Sequence, residues 1–340
     1  MQINKKYIIS LCLILLLSLI TFLITSIFYS SNKNIEAELF TIKKGQAVKE
    51  IALNLKKEGL IKNSYSFIVY TVLSRKYSKI QAGEYLVSSQ MNIPKILSLF
   101  TNGETHKEKL TIIEGWDLKD IAEYFKEKNI ATEKETYSIT GNPTEENESI
   151  NINNYSFLKD KPNNLSLEGY LFPDTYYIEK GDNAEDIINK MLDNFSKKLT
   201  PDLIGEIKKQ NKTIFEIITM ASLIEKEVIT LEDKKIVSGI LWKRMVSHMR
   251  LQVDATILYV QGKKGTDIYT KDTQIDSPYN TYRNDGLPLG PISNPGMDSI
   301  LAAIYPTKSA YYYYLSAPNK ATIFSKTLEE HIYNKNKYLK

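Results

Sequence analysis

Thr41-Ile42-Lys43-Lys44-Gly45-Gln46-Ala47-Val48-Lys49-Glu50-Ile51-Ala52 returns, at a constant offset of 70 residues, as Thr111-Ile112-Ile113-Glu114-Gly115-Trp116-Asp117-Leu118-Lys119-Asp120-Ile121-Ala122. In each copy a β-prone pair leads into a glycine turn and then into apolar residues at helical spacing, so the unit reads as strand, turn, helix. One such unit cannot bury its apolar face alone, and the two copies are expected to pack on a shared sheet or on neighbouring ones. Two copies are too few for a solenoid. The pattern of short strands among many helices is that of an α+β protein.

Outward from the first copy, Ser64 to Tyr77 reads as a second helix, Ala82 to Val87 as a returning strand, and Ile93 to Phe100 as a short helix behind Pro94. Upstream, Tyr7 to Tyr29 is an uncharged, mostly apolar run that as a helix spans roughly 34 Å, enough to cross a bilayer with some tilt. Lys5 and Lys6 precede it, which places the short N-terminus (residues 1–6) in the cytoplasm and everything after Ser30 outside. A cleaved signal peptide is the competing reading, but its apolar region is shorter and a small-x-small site is expected to follow. The uncleaved anchor is the reading adopted.

Beyond the second copy, residues 131–164 turn polar and rich in Asn, Glu, Lys and Thr, and read as a surface insertion with one helical turn. Helices are expected over Asp182–Leu199, from the capping-box spacing Thr213-Ile-Phe-Glu216 through Val228, over Lys235–Met245, from Asp254 as an N-cap onward, over Asp298–Ile304 and over Ser325–Tyr338. Tyr311 to Ser316 reads as a strand.

Composition narrows the function. The 340 residues carry 44 basic and 40 acidic side chains, a net charge of +4, and no basic cluster alternates with stacking aromatics, which argues against a nucleic-acid partner. Cys12 is the single cysteine, so a disulfide framework and a cysteine metal site are both excluded within one chain. His106, His248 and His331 lie far apart without ligand spacing, so neither a metal site nor a cofactor is expected. The 23 tyrosines suit a sugar-binding cleft but are equally good strand formers.

Chemistry then rests on carboxylates. In Leu167-Glu168-Gly169-Tyr170-Leu171-Phe172-Pro173-Asp174-Thr175-Tyr176-Tyr177 one carboxyl stands among aromatic and apolar neighbours, which penalise its ionised form and keep a proton available near neutral pH; the alternative is a solvent-facing residue at a strand end. Gly169 permits a positive φ or a close backbone approach. Glu225 and Glu227, two apart on one helix, point to nearly opposite sides. Glu225 shares a stripe with Ile214, Ile218 and Ala221, which singles it out, a salt bridge being the plainer alternative. Asp276-Ser-Pro-Tyr-Asn-Thr-Tyr282 and Gly286-Leu-Pro-Leu-Gly-Pro-Ile-Ser-Asn-Pro-Gly296 form a stiff loop presenting Asn280, Tyr282 and Asn294, either as ligand contacts or as a structural belt.

Together the Glu168 run, Ala-Ser-Leu-Ile-Glu-Lys-Glu (Ala221–Glu227), Leu-Gln-Val-Asp-Ala-Thr (Leu251–Thr256), Ser-Pro-Tyr-Asn-Thr-Tyr (Ser277–Tyr282) and the loop Gly286–Gly296 resemble the membrane-anchored endolytic murein transglycosylases, the MltG or YceG-like family. The resemblance covers nearly everything from Phe40 onward, and Val253 and Leu289 depart from its pattern. It implies a LysM-like module at Glu38–Gly103 and a mixed α/β catalytic domain over residues 104–340. It implies cleavage of peptidoglycan between N-acetylmuramic acid and N-acetylglucosamine with a 1,6-anhydromuramyl product, ending the growth of nascent strands, alongside cell-wall synthases. The resemblance puts the catalytic role on Glu168 and cleft-lining roles on Glu225, Gln252, Asp254, Asn280, Tyr282 and Asn294. One acid suffices for that reaction, because the muramyl 6-hydroxyl replaces both water and an enzyme nucleophile. A muramidase using Glu225 or Asp254 as second carboxylate, and a non-catalytic wall-binding scaffold, are the rival readings.

Overall fold

The computed structural model describes residues 5–31, 36–143, 145, 147, 155–179, 182–265 and 268–339. The chain divides into two compact units, Met1–Lys109 with Tyr177–Gly181, and Leu110–Tyr176 with Asp182–Lys340.

The first unit opens with α1 (Lys5–Phe28), whose stretch Ile9–Phe28 is long and apolar enough to cross a membrane. Residues 1–4 of the expected stub and residues 32–35 of the stalk lie outside the described residues. Then come β1 (Glu38–Ile42), α2 (Val48–Lys57), α3 (Ser64–Leu73), β2 (Gly83–Val87) and α4 (Ile93–Asn102). The second expected helix stops four residues short of Tyr77, and a single 3-10 turn follows at Tyr77–Lys79. Strands β1 and β2 pair antiparallel with Phe40 opposite Tyr85. Phe40 and Tyr85 turn inward against Phe100, their ring centroids 5.8 and 4.8 Å from its own, and Ile51, Leu55 and Phe67 complete a core from which water is excluded. These buried aliphatic and aromatic side chains, each worth about 1.5–3 kcal/mol on burial, hold the helices to the sheet.

The chain passes between the units along β3 (Glu108–Thr111) and β4 (Thr175–Ile178), which form a second two-stranded sheet. The repeated motif is visible in the backbone: Gly45 and Gly115 both turn with positive φ, +79° and +81°, a conformation costly for any residue with a Cβ. The two copies do not share a sheet, since β1 pairs with β2 and β3 with β4.

The second unit is mostly helical. It holds α5 (Leu118–Glu127), α6 (Glu133–Thr140), α7 (Ala184–Lys198), α8 (Pro201–Lys209), α9 (Ile214–Glu227), α10 (Leu231–Val246), α11 (Asp254–Gln261), α12 (Met297–Ile304), β5 (Tyr313–Ser316), β6 (Thr322–Ser325) and α13 (Leu328–Tyr338). Strands β5 and β6 make an antiparallel hairpin with Tyr313 opposite Ser325. At the centre lies α9, started by the expected Thr213–Glu216 capping box and buried on almost every side from Ile214 to Ile224. Its neighbours α10 and α12 cover it, and α10 lies close against the segment that follows α12 because Gly239 has no side chain: a Cβ there would stand 2.0 Å from the carbonyl oxygen of Thr307.

The polar segment 131–164 is not a mere surface insertion. Within it α6 forms a full helix on a Thr132–Glu135 capping box, and Thr136 and Thr140 are completely buried, their hydroxyls satisfied by the carbonyls four residues back. Phe157 stacks 4.7 Å from Phe195 and 6.0 Å from Tyr170, so a few apolar residues anchor a stretch whose average composition is polar. Residues 148–154 of this segment lie outside the described residues.

Candidate active site

Two groups of carboxylates occupy the second unit, one sealed and one open. The sealed group centres on Glu168, which is only 2% exposed. Gly169 turns with φ +88°, and a Cβ on it would lie 2.6 Å from Pro291, so the backbone here is pressed into the interior. Glu168 Oε2 accepts the backbone N–H of Leu118 at 3.0 Å, and Oε1 accepts from the Asn294 amide at 3.1 Å. The Tyr259 hydroxyl stands 3.2 Å from Oε2 and 3.0 Å from the carbonyl of Pro143. A phenol has one proton to donate. It can go to Glu168 Oε2, because the Tyr279 hydroxyl also donates to the Pro143 carbonyl, at 3.4 Å. Burial, and next the negative charge of Asp117, push the Glu168 carboxyl well above the usual carboxylate range, against the opposing effect of the hydrogen bonds from Leu118 and Tyr259. Glu168 thus stands among apolar and aromatic neighbours, buried rather than solvent-facing at a strand end.

Asn294 is fully buried and works as a tie: its Oδ1 accepts from Leu171 N at 2.9 Å while its amide donates to Glu168 and to the Trp116 carbonyl. Asn280 is likewise fully buried, donating to the carbonyls of Thr273 and Ile275 and accepting from Tyr282 N. For these two residues the loop is a structural belt. Glu225 meets Lys234 Nζ at 3.0 Å with both side chains under 10% exposed, and its Oε2 accepts from Gly296 N at 3.0 Å and Ser299 Oγ at 2.6 Å. It thus clamps α9, α10 and the start of α12 together, which is the salt-bridge alternative, and its place on the apolar stripe reflects burial rather than a cleft.

The open group lies at the other side of α9. Glu227, the last residue of that helix, keeps partial exposure, accepts a hydrogen bond from the Tyr314 hydroxyl on β5 and feels the charge of Asp254. Desolvation first, then that neighbouring charge, raises its carboxyl from the ordinary value to about 7. Asp254 is exposed and accepts from the Tyr282 hydroxyl. It begins α11 but does not cap it; the N-cap position is Val253, and the Asp254 side chain turns to Tyr282 instead. Gln252, exposed, adopts φ +53°, a conformation that a non-glycine residue takes only when its surroundings impose it. Here the constraints are the bonds from Gln252 N to the Thr281 carbonyl (3.1 Å) and from Val253 N to Thr281 Oγ1 (2.9 Å). Beneath them Arg244 donates to the carbonyls of Tyr312 and Leu251, each at 2.8 Å, with its guanidinium 5.0 Å from the Tyr313 ring. Arg244 locks the α11 lead-in to the β5 segment.

Of the residues singled out in the sequence, Gln252, Asp254 and Tyr282 gather around this open group, whereas Glu168, Glu225, Asn280 and Asn294 are interior. Glu227 is the residue the sequence reading passed over. The signal for it was the two-residue spacing itself: once Glu225 is assigned to the buried stripe, the opposite face belongs to Glu227.

The model of the YceG-like family matches residues 40–337. The endolytic murein transglycosylase of Bacillus subtilis is 36% identical over 305 residues, covering 88% of this chain and 84% of the relative. That of Streptococcus pneumoniae serotype 2 is 34% identical over 310 residues, 83% of this chain but 55% of the longer streptococcal protein. A crystal structure of a yceG-like protein from Listeria monocytogenes superposes with a TM-score of 0.59 at 33% identity, covering 88% of this chain and all of the other.

Proposed function

The chain belongs to the YceG-like family, and from that premise we propose that it is an endolytic peptidoglycan transglycosylase in which Glu227, not Glu168, moves the proton. The observation that carries this reading is a carboxyl raised to about 7 by burial, on a residue that keeps partial exposure at the end of α9, set among Tyr314, Asp254 and Tyr282. At neutral pH such a group is protonated in a large fraction of molecules yet ionises readily, as a residue that acts first as acid and then as base requires.

Glu227 gives its proton to the oxygen linking N-acetylmuramic acid to N-acetylglucosamine, the C1–O bond breaks, and the N-acetylglucosamine end leaves with the proton. The muramyl 6-hydroxyl attacks C1, and the Glu227 carboxylate takes the hydroxyl proton, which restores the acid and leaves a 1,6-anhydro end. Tyr314 fixes the carboxyl, and Tyr282 holds Asp254 in place beside it. The charge of Asp254 favours the protonated form of Glu227 and the developing positive charge at C1.

Asp254 also gives substance to a second reading, a muramidase in which it activates water. Its engagement with Tyr282 favours an electrostatic part instead. Products decide between them: intact peptidoglycan digested by the full chain in detergent should release muropeptides one water lighter than reducing ones, and reducing ends would mean hydrolysis.

The surrounding organisation belongs to the same proposal. The order β1, α2, α3, β2, with its antiparallel strand pair, supports a LysM-like wall-binding module at Glu38–Gly103 ahead of a catalytic domain over residues 104–340. Ile9–Phe28 serves as a single-pass anchor, and the lysines preceding it support a cytoplasmic N-terminus with the enzyme facing the wall near the synthases.

A further inference from the structure

The exit of α1 from the membrane is built into the first unit rather than loosely tethered to it. Ser26 and Ile27 are buried, Ser26 Oγ accepts from Ser66 Oγ at 2.8 Å, and the Phe28 ring packs edge-on to Tyr70 at 6.2 Å. Beside this junction lies a cavity of about 680 Å³ lined by Phe22, Thr25, Tyr29, Lys56, Lys62 and Tyr65 among others. Phe22 sits six residues before the helix end, so with a rise of about 1.5 Å per residue the cavity reaches roughly 9 Å down the helix, the depth of the headgroup and upper acyl region. Its lining includes two lysines and no carboxylate, and among the described residues neither lysine has an ion-pair partner. Phe22 in its wall is exposed, and the helix below it presents exposed Leu19 and Ile20.

We infer that this cavity is a binding site for an anionic phospholipid of the outer leaflet, with the phosphate between Lys56 and Lys62 and the acyl chains along α1. The inference rests on the reading of α1 as a membrane anchor and goes beyond it. A cationic rim directly above an apolar wall matches a molecule with an anionic head and apolar tails, and the continuity of the cavity with the bilayer-facing helix supplies that molecule at high local concentration. A bound lipid would fix the height of the module above the membrane, and with it the layer of glycan that the chain can reach.

The test uses the full chain reconstituted in nanodiscs of equal parts phosphatidylcholine and phosphatidylglycerol, released gently and examined by native mass spectrometry for retained lipid. Retention of phosphatidylglycerol over phosphatidylcholine is expected, reduced about fivefold by Lys56→Glu or Lys62→Glu and about 25-fold by both. The control is Lys43→Glu with Lys44→Glu, two exposed lysines of the same unit outside the cavity lining, which should keep the preference. No preference in the parent chain, or an equal loss in the control, overturns the site while leaving the anchor intact. A chain that fails to insert into the nanodisc overturns both.

Discussion

Replacing Glu168 and Glu227 separately by Gln separates structure from catalysis, because the two carboxyls are built for opposite tasks. At Glu168, Oε2 accepts from Leu118 N and from the Tyr259 hydroxyl while Oε1 accepts from the Asn294 amide. An amide cannot do this. With its oxygen toward Leu118 the NH₂ group confronts the Asn294 amide; flipped, it confronts the Leu118 N–H. Either way two buried donors oppose each other, a cost of about 1–3 kcal/mol. For a unit of this size that corresponds to a fall in Tm of roughly 2–12 °C. Activity per folded molecule should survive. At Glu227, which is partly exposed, Gln should leave Tm within about 2 °C but remove the transferable proton, lowering turnover by about 10²–10⁴-fold, or about 3–5 kcal/mol in the barrier. The assay is mass spectrometry of released anhydromuropeptides beside thermal unfolding of the same preparations. An inactive Glu168→Gln protein with unchanged Tm, together with an active Glu227→Gln protein, would refute the assignment.

The pH dependence of the Glu168 effect has a definite sign. Its folded pKa lies above the ordinary value, so the native state binds the proton more tightly; this stability is complete below the ordinary carboxyl range and erodes at about 1.4 kcal/mol per pH unit above it, until the folded pKa is passed. The Tm gap between the parent and Glu168→Gln should therefore narrow as pH rises from 4 to 8 in a calorimetric series. Turnover should fall as pH rises through about 7, where Glu227 loses its proton, and a profile flat from pH 6 to 8.5 would count against Glu227 as the acid. Lys234→Ala leaves Glu225 charged and buried and should cost about 3–5 kcal/mol in denaturant unfolding, more than the Glu225→Gln, Lys234→Met double substitution does. Gly239→Ala should cost more than the ordinary stabilising effect of Gly→Ala in a helix can offset, since its methyl collides with a backbone carbonyl that no rotamer can move; urea titration checks this.

Elements carried by local chemistry were legible. The Thr213–Glu216 capping box starts α9 where it was expected, and the glycine turns of the repeated motif both take positive φ. What was misread depended on partners distant in the chain. Segment 131–164 has the composition of a surface loop, yet Phe157 finds Phe195 and its threonines bond to their own helix, so few apolar residues suffice to bury it. Asp254 has the position of an N-cap, but Tyr282, 28 residues later, supplies a better-placed donor for its carboxylate. Asn280 and Asn294 have the composition of ligand contacts, yet Asn280 spends its polar atoms on Thr273, Ile275 and Tyr282 and Asn294 on Trp116, Glu168 and Leu171.

The same limit explains why Glu168 drew attention away from Glu227. A carboxyl in apolar surroundings has a raised pKa whether or not it meets a substrate, and sequence conveys the surroundings without the access. Burial is the first cause of the raised value at both, and a neighbouring acid adds to it, Asp117 at Glu168 and Asp254 at Glu227; they differ in that Glu227, at the end of its helix, keeps part of its residue surface exposed. Helical geometry links Glu227 to Glu225. Two positions apart, Glu225 turns inward to clamp Lys234, Ser299 and Gly296, and by fixing the end of α9 it holds Glu227 outward. Loosening the Glu225 clamp without unfolding the unit, as Ser299→Ala does by removing one donor, should therefore lower turnover more than it lowers substrate binding, because it misplaces a proton donor whose contribution depends on position.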